Sequence, residues 1–187
     1  LINAESNNLY FSNSATTAVA GTIYPNTAWE HTGLGSDDWM WTGSQPVSFY
    51  LVPELNSVFN TGEVTVEWDN AILSFVSADF SGGLFGSGTA TPIGLNKMTI
   101  HVSNEADITV NSLNYIVKLN FVLLKPGHSA LAVIQSNFVI SGPRAVYMIP
   151  YQGEVKAYLG DFATALDGAT GNGVIDFDDI SPWSLSY

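Results

Sequence analysis

Residues 62–68 read Gly62-Glu63-Val64-Thr65-Val66-Glu67-Trp68. Val64, Val66 and Trp68 fall on one side of an extended chain, and Glu63, Thr65 and Glu67 on the other. A period of two marks a β-strand with one dry face and one wet face. The same pattern, bounded by Gly, Pro, Asn and Ser, recurs outward from this stretch. It predicts strands over 47–52 (between Pro46 and Pro53), 72–80, 97–102, 115–124, 130–140, 145–149 and 154–158. β-Branched and aromatic residues in short, evenly spaced segments predict an all-β sandwich.

The ends of the chain read differently. In the first 44 residues, 9–11 and 17–23 each suit a strand, and 29–41 reads as a loop rich in Gly and Trp. An arm of this kind completes its own sandwich or adds a strand to a neighbour's edge, and the self-contained reading is favoured. The expected organisation is an N-terminal arm (1–44), a sandwich (45–158) and a C-terminal segment (159–187). In that last segment Gly and Asp replace the strand pattern.

The 187 residues are 46% hydrophobic, enough for a core, but only 12% charged, about half of the roughly 25% of an ordinary soluble domain. A surface of uncharged polar groups is weakly self-repelling and suits repetitive assembly. The net charge is −12. It argues against nucleic acid and anionic membranes, which are bound through Lys and Arg, and it makes divalent cations natural partners. There is no Cys, so disulfides and thiolate metal sites are excluded. No apolar run approaches the ~18 residues of a membrane helix. The first residue is Leu, as expected of an N-terminus processed after signal removal, although an artificial boundary gives the same start.

Negative charge is densest in the stretch 171–180, GNGVIDFDDI, where Asn172, Asp176, Asp178 and Asp179 surround Gly173. An EF-hand-type loop needs oxygen ligands at positions 1, 3, 5, 9 and 12, a backbone carbonyl at 7 and Gly at 6. With Gly173 at position 6, Asn172 is at 5, the Val174 carbonyl at 7, apolar Ile175 at 8, Asp176 at 9 and Asp179 at 12. A short exiting helix follows. Positions 1 and 3 fall on Gly168 and Thr170, which carry no carboxylate. The first ligand is then Asp167, or Asp161 in a loop with an insertion, and Asp161 is preferred. The expected cofactor is Ca2+.

Gly160-Asp161 followed by residues 173–180 resembles one calcium-binding repeat of a dockerin module. Residues 45–158 resemble a cohesin domain in three pieces: QPVSFYLVPELNSV, GEVTVEWDNAILSFVSADFSGGLF and YIVKLNFVLLKPGHSALAV. The resemblance implies a nine-stranded jelly-roll sandwich that attaches to other proteins outside the cell or at its surface. Its implied partner is a dockerin-type module folded around calcium. Dockerins normally carry two repeats; one precedes Tyr187 here, and a second is either cut off, left out or never present. A chain with a receptor-like sandwich and part of its ligand also suits head-to-tail self-assembly into a filament or surface layer.

No catalytic constellation emerges. His31, His101 and His128 lie in different predicted elements, and no nucleophile elbow, zinc-helix or phosphate-loop motif is present. Glu30, His31, Asp37 and Asp38 read as polar loop residues. Glu63 and Glu67 share a face but stand ~13 Å apart along a strand, too far for a glycosidase pair. The alternative from another class is carbohydrate binding, with Trp39 and Trp41 among the aromatic rings of a stacking platform.

Overall fold

A computed structural model describes residues 7–23, 29–31, 39–41, 44–142 and 144–157. Among them are fourteen strands: β1 (Asn7–Ser12), β2 (Thr22–Ile23), β3 (Trp29–His31), β4 (Trp39–Trp41), β5 (Gln45–Pro53), β6 (Val58–Glu67), β7 (Leu73–Asp79), β8 (Thr89–Pro92), β9 (Lys97–Thr109), β10 (Val117–Leu123), β11 (Gly127–Ile140), β12 (Arg144–Val146), β13 (Met148–Tyr151) and β14 (Gly153–Ala157). Six of the fourteen, β2, β3, β4, β8, β12 and β13, are pieces of two to four residues. No described segment is helical, and none is a helix long and apolar enough to cross a membrane.

The strands form a two-layer sandwich. One sheet runs β13-β1-β5-β10-β7, and the other runs β2-β14-β11-β6-β9-β8, with β12 also on β11. Pairing is antiparallel except for β1 with β13 and β14 with β2. The N-terminal strand belongs to its own sandwich, with Leu9 opposite Pro53 of β5 and Pro150 of β13.

Alternation explains the layering. β5 turns Val47, Phe49 and Leu51 inward, β6 turns Val64 and Val66, β9 turns Met98, Ile100 and Val102, and β10 turns Val117, Leu119, Phe121 and Leu123. Trp68 closes one end of this core, with its ring 5.3 Å from Phe121 and 6.2 Å from Phe75. Gly62 sits opposite Phe138 in the β6–β11 ladder. A Cβ there would lie 2.7 Å from Phe138 Cδ1 and closer still to Cε1, so only glycine lets this buried ring lie across β6.

Residues 29–41 hold a short antiparallel ladder, Trp29 opposite Trp41 and His31 opposite Trp39, where the sequence reading has a loop. Three-residue strands separated by Thr and Gly are too short to show a period.

Candidate functional site

The outer faces of the two sheets differ. On the five-stranded sheet, Ser12 and Val52 occupy outward positions yet have no exposure, so part of that face is covered. It also carries a closed polar ladder. The Ser48 hydroxyl donates to Asn120 Oδ1 (2.7 Å) and Asn120 Nδ2 donates to Ser77 Oγ (3.0 Å).

The outer face of β8, β9, β6 and β11 is open. Its residues follow from the register with the buried set. Glu67 lies beside Lys97 and Ala132; Thr65 beside Thr99 and Gln135; Glu63 beside His101 and Asn137; Thr61 beside Ser103 and Val139. β8 extends two of these rows, with Thr91 opposite Thr99 and Thr89 opposite His101. The centre is therefore hydroxyl-rich, and Thr65 Oγ1 and Thr99 Oγ1 stand 3.5 Å apart. A register shift between Val133 and Gln135 leaves Ile134 49% exposed at the side of the face. Ser87, Gly88, Thr89, His101 and Ser103 line a shallow depression at its β8 edge.

Apart from Glu63, which lies between the Thr65 and Thr61 rows, charge on this face lies at its borders. Lys97 Nζ meets Glu67 Oε1 at 3.2 Å. Beyond β11, Glu154 meets Lys156 at 2.9 Å and His128 at 3.6 Å. The hydrogen bond from Lys156 holds the Glu154 carboxyl below its ordinary range. Burial opposes that shift, and the charges of Lys156 and His128 reinforce it.

Four strands ~4.8 Å apart and six residue steps of ~3.3 Å give this face a projected area on the order of 400 Å². That is about half of the ~800 Å² per partner of a standard protein interface. A globular partner would use the whole face. A small ligand would find little enclosure.

The six residues assigned to calcium (Asp161, Asp167, Asn172, Val174, Asp176 and Asp179) lie outside the described residues, as does the predicted C-terminal helix. Among the described residues no group of three or more His, Asp or Glu is placed to hold a metal ion. Trp39 and Trp41 both lie in β4, and their side chains are likewise outside the description. Glu63 and Glu67 share the outer face, as their spacing predicts, and Glu67 is engaged with Lys97. The sequence reading missed the face as a unit. Its one available signal was the run of Thr and Ser at alternate positions of several strands.

No family model matches the chain, and no curated protein matches it. Solved structures do. The sixth cohesin of scaffoldin B from Acetivibrio cellulolyticus, in complex with a Cel5 dockerin, superposes with a TM-score of 0.57 at 13% identity, over 82% of this chain and 99% of that one. The chain has a cohesin-like fold. A non-cellulosomal cohesin from Archaeoglobus fulgidus gives 0.55 at 9% identity, over 82% of this chain and 92% of its own. The seventh ScaB type I cohesin from Pseudobacteroides cellulosolvens gives 0.56 at 8%, over 86% and 96%. The cohesin-like fold includes the jelly-roll arrangement of the sandwich, and at these identities the likeness is one of fold. The carbohydrate-binding alternative draws no support from it.

Proposed function

We propose that the protein is a non-catalytic attachment module that works outside the cell and takes a protein partner on the outer face of β8, β9, β6 and β11. The observation that carries this reading is an open, hydroxyl-rich sheet face on a cohesin-like fold. Several of the similar cohesins were solved with a dockerin bound, and a dockerin-type module is the partner class we assign. Calcium enters through the C-terminal segment, with Asp161 or Asp167, Asn172, the Val174 carbonyl, Asp176 and Asp179 as ligands. Support for it is the spacing around Gly173, and calcium sites of extracellular modules work at ambient concentrations of about 0.1–1 mM.

A second reading has a specific observation behind it. All five Lys and Arg lie between residues 97 and 156, whereas 158–187 holds five Asp and none of them. That segregation suits exchange of C-terminal segments between copies and head-to-tail growth.

Calorimetric titration with calcium-loaded dockerin-type modules tests the first reading. Binding that is lost in Thr65→Arg and in Gln135→Arg, with folding intact, supports the face. Binding unaffected by both substitutions removes it. Sedimentation with and without calcium tests the second, since polymers are required there.

A further inference from the structure

One end of the sandwich gathers exposed aliphatic side chains and lysines. The Ile93 amide donates to the Lys97 carbonyl (2.8 Å), closing the β8–β9 hairpin. The Trp68 amide donates to the Asn96 carbonyl (3.0 Å), and the Asp69 amide to the Ser129 hydroxyl (3.0 Å). The Leu124 amide donates to the Ile72 carbonyl (2.8 Å). These bonds bring the turns at 93–96, 68–72 and 124–129 to the same end. Leu95 is 80% exposed there, Ile93 52% and Leu124 44%. The Gly94 backbone at φ 81° lets the hairpin turn hold both aliphatic side chains at its tip. Three of the five basic residues, Lys97, Lys125 and Lys156, belong to this end. Lys97 and Lys156 engage Glu67 and Glu154, and Lys125 makes no ion pair among the described residues.

The last described residue, Ala157, lies at this end. It is paired with Gly127, beside the 124–129 turn, and residues 158–187 follow it in sequence. Residues 158–187 combine five Asp and no base with large apolar side chains such as Phe162, Phe177, Ile180 and Trp183. Their character is the complement of the surface beside which they begin. A segment tethered at its own docking surface meets it at an effective concentration of order mM, which favours the intramolecular contact over one between dilute copies.

We propose that residues 158–187 dock on the end of their own sandwich formed by Ile93, Leu95, Leu124 and Lys125. The apolar side chains of the segment cover the three aliphatic ones, and its Asp carboxylates face Lys125. The outer face of β8, β9, β6 and β11 stays open to a partner. Head-to-tail growth then requires the segment to leave its own end for that of a neighbour. The inference does not rest on the partner reading, and its failure leaves that reading as it stands.

Hydrogen exchange on the full chain tests it, at concentrations where sedimentation shows monomers, with calcium and with a chelator. The variants are Leu95→Asp and Lys125→Glu, both at exposed turns. The expected result is that amides in 158–187 exchange about tenfold faster in each variant, while amides of β5 and β10 keep their rates. Equal exchange in wild type and both variants overturns the docking. So does protection that follows calcium alone and ignores the substitutions. Protection that appears only where oligomers form places a second copy's segment on this end and overturns the intramolecular assignment.

Discussion

Replacing Gly62 by Ala tests the packing that keeps β6 and β11, the middle of the proposed docking face, in register. The added methyl would sit 2.7 Å from Phe138 Cδ1, and Phe138 is 1% exposed. The ring is held from another side by Phe59, whose centroid is 5.2 Å away at 72°, so it has little room to withdraw. Overpacking of a dense core costs about 1–3 kcal/mol. Replacing Gly by Ala also restricts the unfolded chain, which returns about 0.4–1 kcal/mol. The expected net loss is about 1–2 kcal/mol. Phe138→Leu alone also destabilises, by opening space. In the double variant the smaller side chain relieves the clash, so the combined loss falls below the sum by about 1 kcal/mol, the signature of direct contact. Urea midpoints for the four proteins give the cycle. Additivity within about 0.3 kcal/mol would refute the contact between the Gly62 position and the Phe138 ring.

Phe121→Ala empties the site between Trp68 and Phe75, rings 5.3 and 5.8 Å away, and should cost about 3–5 kcal/mol in urea unfolding; a loss under about 1 kcal/mol would contradict this core. Glu154 is expected to make stability depend on acid. Its carboxyl is held below the ordinary 4.5, first by the hydrogen bond from Lys156. The folded state therefore binds its proton less readily than the unfolded chain, and the contribution is present above the unfolded value. It is lost as pH falls through the lower folded value. The stability gap between wild type and Glu154→Gln should close across that window, and a gap that widens on acidification would reverse the assignment. In calcium titrations, Asp176→Ala should abolish binding, and Asp161→Ala should weaken it more than Asp167→Ala. The opposite order would make Asp167 the first ligand.

The fold was legible wherever one face of a strand is dry. β6, β10 and the first half of β9 bury every second residue, and their period is visible without neighbours. β8 was not legible, because Thr89-Ala90-Thr91-Pro92 lies at a sheet edge and buries only Ala90 in part. The end of β9 hides for a related reason. Residues 103–107 are exposed, and the ladder skips from Thr61 opposite Ser103 to Phe59 opposite Ile108. In β1, Leu9 and Phe11 announce a strand, but nothing in sequence says that its partners are β5 and β13, the latter about 140 residues away. The docking face was hidden by the same non-locality. Glu63, Thr65 and Glu67 alone look like a solvated strand face. They become the centre of a surface only when Thr99, His101 and Gln135 arrive beside them from other strands.

The two surfaces differ in the force they would use, and ionic strength separates them. Apart from Glu63, the centre of the outer face is uncharged, so its contacts are mostly neutral hydrogen bonds worth about 0.5–1.5 kcal/mol each, plus burial around Ile134. The border pairs Glu67–Lys97 and Glu154–Lys156 are already formed within the sheet, which leaves Glu63 as the acidic group of the centre. Salt acts on unpaired charge, with a screening length falling from ~10 Å at 0.1 M to ~3 Å at 1 M. Partner binding on this face should therefore change less than about threefold between 0.1 and 0.5 M NaCl, and its association rate should lie in the unsteered range of about 10⁵–10⁶ M⁻¹s⁻¹. Docking of residues 158–187 sets the Asp not engaged with calcium, Asp178 among them, against a lysine-bearing end and should loosen as salt rises, read as faster exchange in that segment. A partner affinity that collapses with salt would show that the partner uses the charged end instead of the hydroxyl face. The C-terminal segment and the partner would then compete for one surface.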